Sequence, residues 1–163
     1  MPFATRADLL ARSNARTLAQ LAVPTDVGMV PVDALRTAIG GGDLTGFTEG
    51  DQAAIGLALN VIDAALADAD ALLVSYGVPG TVQNTLLARL ASTVALYYLY
   101  GAEMTDDVLK AYQGVIDVLK AYARGDVDLV QGEEEGATPT DSATITSGVS
   151  RYGRRPTDED DEA

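Results

Sequence analysis

The chain has no cysteine, no histidine and no tryptophan among its 163 residues. The first two absences together remove thiol nucleophiles, disulfides, imidazole general bases and most zinc, copper and haem ligation. Only carboxylates remain for acid–base chemistry, and no cofactor is expected. Aromatics are scarce at 6% while 47% of residues are apolar, so Ala, Leu, Val and Ile must fill the core, a palette that favours helices. Positive charge is also short, with eleven Lys and Arg against 24 Asp and Glu, a net −13. Such an excess opposes phosphate-tracking DNA or RNA binding and an anionic membrane surface. No run approaches the roughly 20 apolar residues of a membrane span. The opening MPFATRADLL lacks a basic start, an apolar run and a cleavage site. A soluble protein, cytosolic where it is made, is the expectation.

The acidity is unevenly spread. Residues 1–130 carry 8 basic and 15 acidic side chains, and residues 131–163 carry 3 and 9, so one fifth of the chain holds almost half the excess. This places a boundary near 130, between a folded domain (1–130) and a polar, acidic C-terminal arm (131–163).

Within the first part, Thr5 followed by Asp8 reads as a capping box, opening a helix from Arg6 to about Leu21 with Leu9, Leu10, Leu18 and Leu21 inside and Arg6, Arg12 and Arg16 outside. Residues 24–50, rich in Pro and Gly, form a long loop interrupted by a short helix near Asp33–Ile39. Thr48 and Asp51 repeat the capping signature. From Ile55 the apolar residues Leu59, Ile62, Leu66, Ala69 and Leu73 follow at spacings of four and three, one stripe of a long helix closed by Gly77 and Pro79. A further helix is expected from about Val82 to Tyr100, burying Leu86, Leu87, Leu90, Val94 and one of Tyr97 or Tyr98. The last begins after Thr105, with Asp106 and Asp107 at its positive start. It carries Val108, Leu109, Tyr112, Val115, Ile116 and Leu119 inward and ends at Gly125. No alternating strand pattern competes. The fold class is all-α: a small helical bundle with a long second main helix and an extended C-terminal arm.

Beyond Gln131 the composition cannot supply a core. ATITSGV (143–149) has the β-branched alternation of a short strand with no partner strand in the sequence, and Arg151, Tyr152, Arg154 and Arg155 make a basic knot before an acidic end. Adding a strand to another chain's sheet edge would satisfy its backbone groups, so Thr144, Ile145, Thr146, Arg151, Tyr152, Arg154 and Arg155 are the candidate docking residues.

Each candidate for chemistry has a plainer explanation. Asp63, Asp68 and Asp70 lack the Glu-x-x-His pairs of a di-iron bundle and read as a solvated face. Gly40–Gly42 lacks the Lys-Ser/Thr ending of a phosphate-binding loop. Tyr97, Tyr98, Tyr100 and Tyr112 read as a core edge. None looks catalytic.

The order of the pieces resembles the small head-tail connector proteins of Mu-like tailed phages, also called neck or adaptor proteins. The resemblance is carried by FATRADLLAR (3–12), VIDAALADADALLVSYGVP (61–79), LLARLASTVALYYLY (86–100) and MTDDVLKAYQGVIDVLKAYARGDVDL (104–129). The loop from Pro24 to Gly50 is longer and richer in Gly than that family suggests, and the tail carries an extra acidic end.

The resemblance implies a structural protein of the virion neck, present in the host cytoplasm during assembly, and no enzyme. It implies a homo-oligomeric ring, usually of twelve copies, seated on the portal protein and receiving a stopper or tail-completion protein. Phage DNA would pass through without sequence-specific binding, and no membrane is involved. In such a ring, Asp63, Asp70, Asp106 and Asp107 are the candidate channel-facing acids, and the small residues Gly56, Ala58 and Ala65 of the long helix could face a neighbouring copy. The rival reading is a free acidic helical bundle, a regulatory or DNA-mimic protein that binds a basic partner.

Overall fold

The computed structural model describes residues 1–23 and 28–130. Among them it contains six α-helices and no strand: α1 (Arg6–Arg12), α2 (Ala15–Ala22), α3 (Val32–Ile39), α4 (Glu49–Ser75), α5 (Thr85–Tyr100) and α6 (Asp106–Arg124). The all-α bundle expected from the sequence is therefore observed. Its long helix, α4, has 27 residues.

The helix starts follow local chemistry. Thr5 and Asp8 form the reciprocal capping box, with the Thr5 N–H donating to Asp8 Oδ2 at 2.8 Å and the Asp8 N–H to Thr5 Oγ1 at 3.2 Å. Thr48 and Thr105 accept from the amides of Asp51 and Val108. Left-handed glycines follow α3, α4, α5 and α6, at Gly41, Gly77, Gly101 and Gly125. After α4 the Val78 N–H reaches back to the Leu73 carbonyl and the Gly77 N–H to that of Val74, with Gly77 at φ +92°. Gly125 closes α6 in the same way at φ +81°. Both are left-handed positions that a side chain would strain.

Several expectations are corrected. The first helix is broken in two, because the Asn14 side chain accepts from the Thr17 amide at 2.7 Å and starts a new helix. The regular leucine spacing across the break hides it. Leu9 and Leu18 are fully buried, whereas Leu10 and Leu21 are half-buried. Arg6 stays partly exposed, as expected, but turns onto α4. The helix expected from Val82 starts at Thr85, since Asn84 caps it by accepting from the Leu87 amide at 2.7 Å. Leu86 then falls on the outer side, and the burial expected of Tyr97 or Tyr98 goes to Leu99 instead. On α6 only Val115 and Leu119 are buried; Val108, Leu109, Tyr112 and Ile116 are half-buried, because this helix packs by one edge.

The core runs along α4. That helix packs mainly on α5, α5 in turn on α6 and α1, while α2 and α3 cover the remaining side. Ile55, Ala58, Ile62, Ala69 and Leu73 of α4 meet Leu87, Ala91 and Val94 of α5 within one apolar cluster that also takes in Leu9, Leu18 and Leu35. Ala58 and Ala65 are 0% and 6% exposed, so they bring α4 close to its own bundle and are not available to a neighbour. Gly56 is exposed.

Candidate functional site

Asp63 and Asp70 lie on one side of α4, as their spacing of seven requires, but both are engaged by the N-terminal segment. Arg6 clasps Asp63 with two nitrogens, Nε to Oδ1 at 2.7 Å and Nη2 to Oδ2. The guanidinium holds the Asp63 carboxyl below its ordinary range. Two turns further on, Asp70 Oδ1 accepts the Phe3 N–H at 3.0 Å. Here burial dominates and pushes the carboxyl up, opposed by that N–H and by the N-terminal amine. Phe3 and Ala4 are buried beside these carboxylates. The cleft of about 330 Å³ lined by Pro2, Ala4, Arg6, Asp63 and Asp70 is the seam between segment and helix. The chemistry of this place is structural clamping.

A second clamp lies at the α4–α5 loop. Gln83 Nε2 donates to the Pro2 carbonyl at 2.9 Å, and Asn84 Nδ2 donates to the Leu129 carbonyl at 2.8 Å. Asn84 thus caps α5 with its oxygen and holds the end of the bundle with its nitrogen. Residue reasoning missed it, although Asn before a helical run is a standard cap signal.

The other acids are differently placed. Asp106 and Asp107 sit in the first turn of α6, exposed and without a salt bridge among the described residues. Asp68 is exposed on α4. No group of three or more Asp or Glu side chains that could hold a metal ion occurs among the described residues. Within the same limit, no helix is long and apolar enough to cross a membrane. The candidate docking residues Thr144, Ile145, Thr146, Arg151, Tyr152, Arg154 and Arg155 lie outside the described residues.

The tyrosines gather where α5 meets α6. Tyr97 stacks on Tyr112 with ring centroids 3.8 Å apart and planes 9° from parallel, and Tyr98 meets Tyr97 edge-on at 5.7 Å. Burial raises the Tyr98 and Tyr112 hydroxyls; the neighbouring phenols add to both, and Asp68 to Tyr98. On the other side of α6 lies an apolar groove of about 350 Å³, lined by Leu86, Arg89, Leu90 and Thr93 of α5 and by Gly114 and Val118 of α6. Nothing in the residue pattern announced this groove, because it depends on how far α6 stands from α5.

The model of the family described as Bacteriophage Mu, Gp36 matches residues 3–147. The chain belongs to the bacteriophage Mu Gp36 family. The match takes in the whole described bundle, from the Phe3 clamp to the Leu129 clamp, and continues through the strand-like Thr144–Thr146, stopping short of the Arg151–Arg155 knot. The Mu Gp36 assignment makes this a protein of a Mu-like phage and agrees with the resemblance drawn from the four sequence stretches. Among curated proteins, none matches the chain.

Proposed function

We propose that this member of the Mu Gp36 family is a structural head-tail connector without turnover. In this reading copies of the chain form a ring, twelve in number, beneath the portal protein, extend the DNA channel and receive a stopper or tail-completion protein. The single observation that carries it is the family match across the entire bundle. Charge supports it: a net −13 chain repeated around a channel repels DNA and lets it slide. Since Asp63 is neutralised by Arg6 and Asp70 turns to the N-terminal segment, the lumen charge is assigned to Asp106 and Asp107. At a Debye length of about 8 Å in physiological salt, only acids this exposed and near the DNA path would be felt.

Residues 131–163 act here as the arm that docks on the portal or on the next copy, through Thr144–Thr146 by strand addition and through Arg151, Arg154 and Arg155 by pairing with acids. Electron microscopy of particles made with and without the protein tests the reading. A ring below the portal should be present in the first and missing in the second. Particles with an unchanged neck would refute it, as would a ring whose inner wall is basic for the channel assignment.

A further inference from the structure

Two helix-interior glycines have no explanation inside the bundle. Glycine in mid-helix costs roughly 1 kcal/mol relative to alanine, a cost usually offset by something packing close. Yet a Cβ on Gly56 of α4 or on Gly114 of α6 would meet nothing within 4 Å. Gly114 lines the groove between α5 and α6, and Gly56 stands at the edge of the open face of α4.

The first surface is the outer face of α4. From Ala53 to Val74 it spans about 32 Å at 1.5 Å per residue, and its exposed residues include Leu57 (47%), Val61 (38%) and Val74 (51%). Asp68 is the one charged side chain among the exposed positions of that stretch. On a chain of net −13 this face is where a like-charged copy can approach with least repulsion. The second surface is the α5–α6 groove, where Leu86 is 43% exposed and Gly114 leaves room. Arg89 lines it, exposed and in no salt bridge among the described residues.

The two surfaces face apart. Asp68 lies within electrostatic reach of its own Tyr98. Tyr98 and Arg89 are nine residues apart on α5, about two and a half turns, hence on opposite sides of that helix. A chain cannot pair its own Asp68 with its own Arg89, but each can meet its counterpart on another copy. A two-fold pairing of α4 faces would give Asp68 no basic partner and leave Arg89 unused.

We propose that the outer face of α4 docks head to tail into the α5–α6 groove of a second copy, with Asp68 opposite Arg89 and Gly114 allowing the helices to approach closely. Such a contact is heterologous and generates a ring if its rotation closes. It rests on the ring reading above and gives that ring its subunit contact.

The absence of cysteine makes the test clean. Ala64→Cys, one turn from Asp68, is combined with Leu86→Cys or Thr93→Cys, one turn to either side of Arg89, and oxidised in assembled particles and in concentrated protein. The expected result is a ladder of dimers, trimers and higher species in one of the double variants and none in the single variants. Gly114→Leu should melt at the same or a higher temperature than the parent, yet reduce the ladder at least tenfold. Arg89→Asp should abolish it and Arg89→Asp with Asp68→Arg restore it. Dimers from Ala64→Cys alone would mean two-fold pairing and overturn the proposal, and so would a neck ring in micrographs with no ladder from either double variant. The latter result would leave the connector reading intact. A ladder in solution from a protein absent from particle necks would sink the connector reading and keep the contact.

Discussion

Replacing Asp70 by alanine removes the acceptor for the Phe3 N–H, at 3.0 Å, in a segment where Phe3 is only 4% exposed. A buried donor left without a partner costs about 1–3 kcal/mol. The half-buried site admits some water, so the lower half of that range applies. For a domain of this size about 1 kcal/mol corresponds to roughly 3–5 °C in Tm, which gives an expected loss of about 3–10 °C in a thermal melt followed by circular dichroism. Asp70→Asn keeps an oxygen at the same place and should lose far less. The sign of the pH dependence supports the distinction. Burial raises Asp70 above its ordinary range, so the native state holds this proton more tightly than the unfolded chain. Its contribution is fully present below the unfolded pKa and is lost as pH rises through the folded one. The neutral Asn variant should therefore be level with the parent, or slightly above it, at pH 7. Equal losses in the Ala and Asn variants would refute the reasoning, because charge and not the acceptor would then hold the segment. An unchanged Tm in Asp70→Ala would refute the clamp itself.

Asp63 should behave in the opposite sense: its carboxyl is lowered by Arg6, so its stabilisation is present above the unfolded pKa and fades as pH falls through the folded one. Acid titration of Asp63→Asn should show a shallower loss below pH 4 than the parent, and a parallel loss would count against the pair. Asn84→Ala removes both the α5 cap and the Leu129 tie, an expected cost of about 1–3 kcal/mol in urea unfolding. Faster amide exchange at residues 126–130 should accompany it, and unchanged protection there would show that the tie is not formed in solution. Gly125→Ala places a side chain at φ +81° and should cost about 1 kcal/mol, whereas Gly114→Ala should stabilise by a comparable amount.

Much of this architecture is local and therefore legible in the residues. Thr5 with Asp8, Thr48 with Asp51, and Thr105 all start helices because a hydroxyl three residues from an amide settles the matter without help from the rest of the chain. The break at Ser13–Asn14 was equally local, but the leucine period across it masked a signal that Asn14 and Thr17 did carry. Asp63 and Asp70 could be placed on one side of a helix from spacing alone. What they hold could not, since Arg6 and Phe3 are 57 and 67 residues away. The same holds for Ala58 and Ala65: small residues mark a close approach, and the sequence does not say whether the neighbour is the same chain or another. The α5–α6 groove and the side on which Arg89 emerges depend on the rotation of two helices about each other, which no single period encodes.

The Gln83–Asn84 pair has a mechanical meaning. One of these neighbouring side chains holds Pro2 and the other holds Leu129, so both ends of the bundle are moored to one short loop. A load applied beyond Val130 would be shared between α6, through the backbone, and that loop, through Asn84. Tension of this kind meets the Asn84–Leu129 hydrogen bond and the buried Leu129 side chain together. The loop would then share with the Leu129 packing the task of holding the end of the bundle under force, and through Gln83 it would couple that end to the N-terminal segment.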